Sequence, residues 1–438
     1  FAPSQTKPVP LPAWAKQTLS PLTVPTSSVN PTVALLPNGL RLIIQPETIS
    51  DTVSIYGRVK TRAELQVPPG KEGAEQILDD LFSYGSSKLD RIAFQQALDE
   101  IGAKQQVGTD FSLEVLPEHF DRGAQLLADN LLHPALPEAA FKAVQERTAQ
   151  AVAGQLQSPI YLSRRAFLKV LYPAQDPILR EATPATIASL TLADIREYHK
   201  KVFRPDLTTI VVIGKVTPDQ ARAVIEKYFG LWKAAGPKPE TDLPPVPRNK
   251  ANATIVPDLS RVQDEVTIGQ TFELHRQDDD YYAMQLGLQV LSGGFYASRL
   301  YQDLREKSGL VYSVNAELQS GKNRAIFAVS YACDPPKVAR ARALIEHNLR
   351  LMQTQPVTSA ELERAKTLLL RAIPLNESSI RGIAGGLLDR SVRDLPLDEP
   401  IHAAKRYASF SADNVKAAFA KWLKVEDLAE VILGPTPK

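Results

Sequence analysis

The chain is short of the residues that metal and redox chemistry use. Its 438 residues include one cysteine, Cys333. A single thiol excludes an intrachain disulfide and leaves no second thiol for a shared structural zinc. In the run "IFAVSYACD", Cys333 reads as a small buried hydrophobe. The six histidines, His119, His133, His199, His275, His347 and His402, include no pair at i, i+3 or i+4. No helix therefore offers two imidazoles on one face, and a lone histidine is more often a hydrogen-bonded or surface residue than a ligand. An excess of charge of one sign is also missing. With 51 Lys+Arg against 49 Asp+Glu, nothing suggests a nucleic-acid footprint. No apolar run reaches the ~18 residues that would cross a bilayer, so a soluble chain without a membrane span is expected.

Proline is abundant, and its placement divides the chain. Residues 1–30, "FAPSQTKPVPLPAWAKQTLSPLTVPTSSVN", are expected to form an extended N-terminal segment. A chain opening on Phe without Met suggests a secreted protein after leader removal, with the periplasm as its compartment. A second cluster, "AAGPKPETDLPPVPRNK" (234–250), favours an extended linker. It separates two halves, 31–233 and 251–438, within the range of about two to four domains that the length allows.

The halves repeat one another. "SLTLADIREYHKKVF" (189–203) has a Thr or Ser cap and an amphipathic helix, and the apolar strand "TTIVVIGKV" follows. "SFSADNVKAAFAKWL" (409–423) repeats that order and runs into "LAEVILGP". Likewise "ALPEAAFKAVQERTAQAV" (135–152) matches "PVTSAELERAKTLLLRAI" (356–373), each a loop and then a capped helix. "FQQALDEIGA" (94–103) lines up with "LYQDLREKSGL" (300–310). A period of about half the chain means duplication of a whole α+β domain, with one sheet per half and helices packed on a face.

One stretch, "KEGAEQILDDLFSYGSS" (71–87), carries the functional question. Ala74, Ile77, Leu78 and Leu81 recur at three- and four-residue steps, which predicts a helix. Gln76, Asp79 and Asp80 then share a face. Glu75, Asp79 and Asp80 are candidates for a hard cation such as Ca²⁺ or Mg²⁺. A solvated acidic face is the preferred reading, because no EF-hand spacing is present.

This stretch resembles the inverted zinc-peptidase segment of the M16 family, the pitrilysin and mitochondrial-processing-peptidase relatives, where "EGLAHFLEHMLFxGT" is typical. That pattern contains H-x-x-E-H, two zinc-binding histidines and a general-base glutamate. The resemblance puts Gln76 and Asp80 at the histidine positions and Asp79 at the glutamate position. A neutral amide is a poor zinc donor, and Asp has a shorter reach than Glu. The family's third ligand falls near Ala153, after Glu146 and Arg147, and no acid occurs between Arg147 and Asp176. The site is altered as a unit, so no metal is expected in this chain.

The second half keeps more of the family pattern. "VLSGGFYASRLYQDLREKSGLVYSV" (290–314) resembles "LGGxxSSRLFxxLREKxGLAYSV". Arg305 and Tyr312 match the family's Arg and Tyr, which act across the active-site cavity and, in dimers, in the partner's site. Gly293 and Gly294 match its glycine-rich substrate loop. A Tyr hydroxyl can donate to a developing oxyanion, and an Arg fork can hold peptide carbonyls. From residue types alone, Arg305 also fits a solvated residue near a helix end, Tyr312 sheet packing, and Gly293-Gly294 a tight turn.

The resemblance runs from about Pro31 to Pro435 and implies two homologous α+β domains, each a mainly antiparallel sheet with helices on it. It further implies the non-zinc-binding subunit of a heterodimeric M16B peptidase, with zinc held by a partner carrying H-x-x-E-H. A non-enzymatic scaffold or peptide-binding protein, like respiratory-complex core subunits, and a hydrolase with a hard-metal or metal-free site are the competing readings.

Overall fold

The computed structural model describes residues 22–435. Most of the expected extended N-terminal segment, residues 1–21, lies outside the described residues.

The first half forms a six-stranded sheet in the order β1-β2-β6-β3-β5-β4. Its strands are β1 (Thr32–Leu35), β2 (Arg41–Pro46), β3 (Val53–Val59), β4 (Lys104–Gln106), β5 (Asp110–Val115) and β6 (Thr208–Gly214). The second half forms a five-stranded sheet in the order β7-β11-β8-β10-β9. These strands are β7 (Ala253–Pro257), β8 (Asp264–Phe272), β9 (Val311–Ser320), β10 (Ala325–Cys333) and β11 (Ala429–Gly434). One early strand of each half pairs in parallel with its last strand, β2 with β6 and β7 with β11. The pairings inward of those are antiparallel: β6–β3–β5–β4 and β11–β8–β10–β9. Apart from the extra β1, the two halves share one topology.

The helices that position the site are α1 (Ala74–Leu81), α2 (Glu138–Gln155), α3 (Pro159–Leu171), α4 (Leu192–Val202), α5 (Ser359–Asn376), α6 (Ile380–Val392) and α7 (Glu399–Ser409). Capping boxes start α4, with Thr191 and Asp194, and α5, with Thr358 and Glu361. The expected cap on α2 is absent: Pro137 precedes it and offers no side-chain acceptor.

Strand β6, "TTIVVIG", is buried at every position. A continuous β-branched run of this kind suits a central strand covered on both faces. Ile210 and Val212 join α1 and α4 in the main core of the first half. Val211 and Ile213, with Ile43, face the other way and meet Ile383, Ala384, Leu387 and Leu388 of α6 from the second half. The exchange is reciprocal. From the first half, α3 lays Ala166, Phe167 and Val170 against Val256, Val431 and Leu433 of the second sheet. Each half thus closes the back of the other's sheet.

Residues 234–250 contain neither helix nor strand. Hydrogen bonds pin this segment on both sides: Arg204 Nη1 donates to the Pro237 carbonyl at 2.8 Å, and Asn323 Nδ2 to the Leu243 carbonyl at 3.0 Å.

Candidate functional site: a degenerate metal helix and an Arg–Tyr edge

Helix α1 buries Ala74, Ile77, Leu78 and Leu81, the stripe the spacing predicts. Gly73 opens it at φ +102°, where a Cβ would also come within 2.0 Å of Ile187 Cδ1. Both the left-handed backbone and the close approach call for glycine.

The polar side of α1 departs from a solvated acidic face. Gln76 and Asp80 are exposed, whereas Glu75 and Asp79 are partly buried. Burial pushes the Glu75 carboxyl up to about 7, and the charges of Asp79 and Glu64 add to this. Burial likewise pushes Asp79 up to about 6, against the pull of the Thr109 amide, with Asp80 and Asp110 raising it further. Asp79 Oδ1 has no hydrogen-bond partner among the described residues. Tyr198 of α4 is 4% exposed, and its hydroxyl also lacks a partner. Burial and the nearby charges of Glu75 and Asp79 raise its pKa well above the ordinary phenol range. The spacing showed which residues share a face. It could not show that α4 packs across part of that face.

Zinc does not fit these residues. The Asp80 carboxylate is taken by the Arg147 guanidinium of α2 at 2.9 Å. Gln76 is neutral, and Ala153 on the same α2 has no donor. Among the described residues no group of three or more His, Cys, Asp or Glu could hold a metal ion. The hard-cation candidate at Glu75, Asp79 and Asp80 therefore has no assembled ligand set. His199 is a core residue: its Nε2 lies 2.9 Å from the Leu131 carbonyl, and its ring stacks on Phe203.

Two predictions arise from this helix. The triple variant Gln76→His, Asp79→Glu, Asp80→His should retain no stoichiometric zinc after dialysis, because Ala153 supplies no third ligand and Arg147 stays beside the site. Metal analysis checks it, and one zinc per chain would show that another donor completes the set. Glu75→Gln should stabilise the chain at pH 8. The folded-state pKa is raised from 4.5 to about 7, so the folded chain binds the extra proton. Stability from this group is then full below about 4.5 and falls as pH rises to about 7. The variant should gain on the order of 1–2 kcal/mol at pH 8 and almost nothing at pH 4.5, read from urea denaturation at the two pH values.

The second-half motif adopts an uncommon backbone. Gln289–Gly293 and Gln302–Glu306 are both π-helical turns, a feature frequent at functional sites. The first ends at Gly293 and Gly294. Ser292 ties it to β9, accepting from the Ala316 amide at 3.0 Å and donating to the Ala316 carbonyl at 3.2 Å. The second carries Arg305, whose Nη1 donates to the Tyr312 carbonyl at 2.6 Å. Its guanidinium lies 4.6 Å from the Tyr312 ring centre and 5.1 Å from that of Tyr301. Tyr312, 76% exposed, is therefore not packed within the sheet, and Arg305 is held by two rings and a carbonyl instead of trailing in solvent. Tyr301 also holds Arg305, a role that the motif pattern does not assign to it.

The structure brings Arg305, on the second π-helical turn, together with Tyr312 at the start of β9, an outer strand of the second sheet. It does not bring them to α1. Glu75 and Gln76 line a chamber of about 1500 Å³ between the halves, and Arg305, Tyr312, Gly293 and Gly294 lie outside its walls.

Comparison with known proteins shows what this chain is similar to. Residues 189–369 match the family model described as the peptidase M16 inactive domain. The chain is 24% identical over 355 residues to the zinc protease YmxG of Bacillus subtilis, covering 78% of this chain and 83% of that one. It is 25% identical over 359 residues to a zinc protease of Mycobacterium leprae, covering 78% and 77%. The chain resembles M16 peptidases. The M16 inactive-domain structure from Pseudomonas fluorescens shares the fold, with TM-score 0.81 at 21% identity, over 93% of this chain and 99% of that one. A Helicobacter pylori protease matches equally, with TM-score 0.81 at 19% identity over 93% and 100%. The periplasmic protease PqqL of Escherichia coli gives 0.78 at 17% identity, over 94% of this chain and 47% of that one. The two-sheet α+β architecture is the M16 fold. Among the described residues no helix is long and apolar enough to cross a membrane.

Proposed function

We propose that this chain is the non-zinc-binding subunit of a heterodimeric M16B zinc peptidase, supplying Arg305 and Tyr312 to the active site of a partner that carries H-x-x-E-H. One observation carries the reading: the Arg–Tyr pair is preassembled and open at an outer strand, while α1 of the same chain carries Gln76, Asp79 and Asp80 with Arg147 on Asp80. The partner's zinc would supply activated water. This chain's share is to hold the peptide and stabilise charge. Tyr312 donates its hydroxyl to the carbonyl oxygen as that oxygen gains charge, and Arg305 offers its remaining donors to peptide carbonyls. Gly293 and Gly294, which match the family's glycine-rich substrate loop, would contact the peptide backbone. The compartment is the periplasm, as it is for PqqL.

The test is peptide hydrolysis by this chain alone, by a zinc-binding M16 partner encoded beside it, and by the mixture. Activity in the mixture well above the partner alone supports the reading. A partner fully active by itself, with this chain bound but without effect, would leave a scaffold role.

A further inference from the structure

A second cavity, of about 480 Å³, lies in the second half and is lined by α5, α6 and the start of α7. That size falls in the range of small-molecule sites, about 300–1000 Å³. Ile373, Ile383 and Pro400 give it apolar walls, Arg390 of α6 gives it a positive charge, and Glu377 and Asp389 line it as well.

Arg390 is the group that needs an explanation. Its Nε is buried without a hydrogen-bond partner, and among the described residues its guanidinium makes no ion pair. Burial holds its pKa below the usual arginine range, against the charges of Glu399, Glu377, Asp389 and Asp398. Each of those carboxylates has other donors. Glu399 takes Arg276 at 2.8 Å and the Tyr282 hydroxyl at 2.9 Å. Glu377 takes Ser27 at 2.7 Å, Asp389 takes Arg393 at 2.8 Å, and Asp398 lies 3.1 Å from His402. A largely desolvated cation is thus left without its own anion, which is costly unless something else supplies one. Gly386 makes room for it, since a Cβ there would stand 2.9 Å from Arg390 Nη1.

We propose that this cavity binds a monocarboxylate on a short apolar body, with Arg390 taking the carboxylate as a fork and Ile373, Ile383 and Pro400 covering the body. The charge count selects the class. One free guanidinium surrounded by four carboxylates tolerates a single negative charge and repels a dianion such as phosphate. The apolar walls favour a branched aliphatic group over a second polar one. The carboxylate can belong to a free small acid or to the last residue of a peptide, since both present the same chemistry.

The probe is N-acetyl-leucine, titrated into the full chain by calorimetry, beside N-acetyl-leucinamide, inorganic phosphate and N-acetyl-Ala-Ala-Leu. Wild type should bind N-acetyl-leucine with Kd on the order of 1 mM, and the amide and phosphate should bind at least tenfold more weakly. Arg390→Gln should lose binding at least tenfold. Gly385 lines the same cavity, and a Cβ there meets nothing within 4 Å, so Gly385→Leu should fold, fill the space and block binding. The tripeptide binding as well as the amino acid assigns peptide termini as the source, and the amino acid binding alone assigns free acids. No binding to wild type, equal binding of the amide, or unchanged binding in a folded Arg390→Gln would overturn the proposal.

Discussion

Asp176→Ala is expected to remove about 3–5 kcal/mol of stability, the range for breaking one side of a buried ion pair. The Asp176 carboxylate lies 3.0 Å from Arg324 Nη1, with the two side chains 5% and 7% exposed. Asp176 belongs to the first half and Arg324 to the β9–β10 hairpin of the second. Arg324 also donates through Nε to the Pro244 carbonyl at 2.7 Å and lies 5.2 Å from the Tyr172 ring centre. The guanidinium is thus fixed from three sides and cannot swing out to water when its carboxylate is removed. The same carboxylate accepts from the Ile178 amide at 3.0 Å, so the alanine also removes a cap worth about 1 kcal/mol. Urea denaturation measures the loss. The double variant Asp176→Ala, Arg324→Met should recover part of it, because no buried charge is then left unpaired. A loss under about 1 kcal/mol for the single variant would mean that water reaches this junction.

Local periodicity carried far in this chain, and long-range packing did not. The stripe Ala74, Ile77, Leu78 and Leu81 gave α1 its buried face, because a helix period is written within eight residues. The run "TTIVVIG" marked a buried strand for a similar reason. What covers that strand was hidden: the back of β6 meets α6, about 180 residues downstream in the chain, and no local pattern encodes such a partner. The exchange of α3 and α6 between halves is a property of the assembled sheets. At the site, the altered ligand set was legible residue by residue. The inward turn of Glu75 and Asp79 was not, since it depends on Tyr198 and α4 arriving from elsewhere. The Arg305–Tyr312 pairing was legible only as a seven-residue spacing. Contact across that spacing comes from the π-helical turn and the start of β9, a geometry that spacing does not specify.

Tyr312→Phe should lower kcat of the heterodimer with a zinc-binding partner by at least about tenfold. Losing one oxyanion donor typically costs on the order of 100- to 1000-fold, and the lower floor allows for a water molecule taking the place of the hydroxyl. The phenyl ring stays, so the stacking on Arg305 persists and the change isolates the hydroxyl. Arg305 donates to the Tyr312 backbone carbonyl, not to its hydroxyl, so the guanidinium should keep its position in this variant. Arg305→Ala should act differently, mainly raising KM, because contacts to peptide carbonyls are made in both the ground and transition states. Size-exclusion chromatography separates either effect from loss of the complex, since both residues lie on an open edge that a partner would cover. A kcat effect from one variant and a KM effect from the other, in intact heterodimers, would divide the roles between charge stabilisation and peptide holding. Wild-type values from both would remove Arg305 and Tyr312 from the chemistry and leave this chain as a scaffold for its partner.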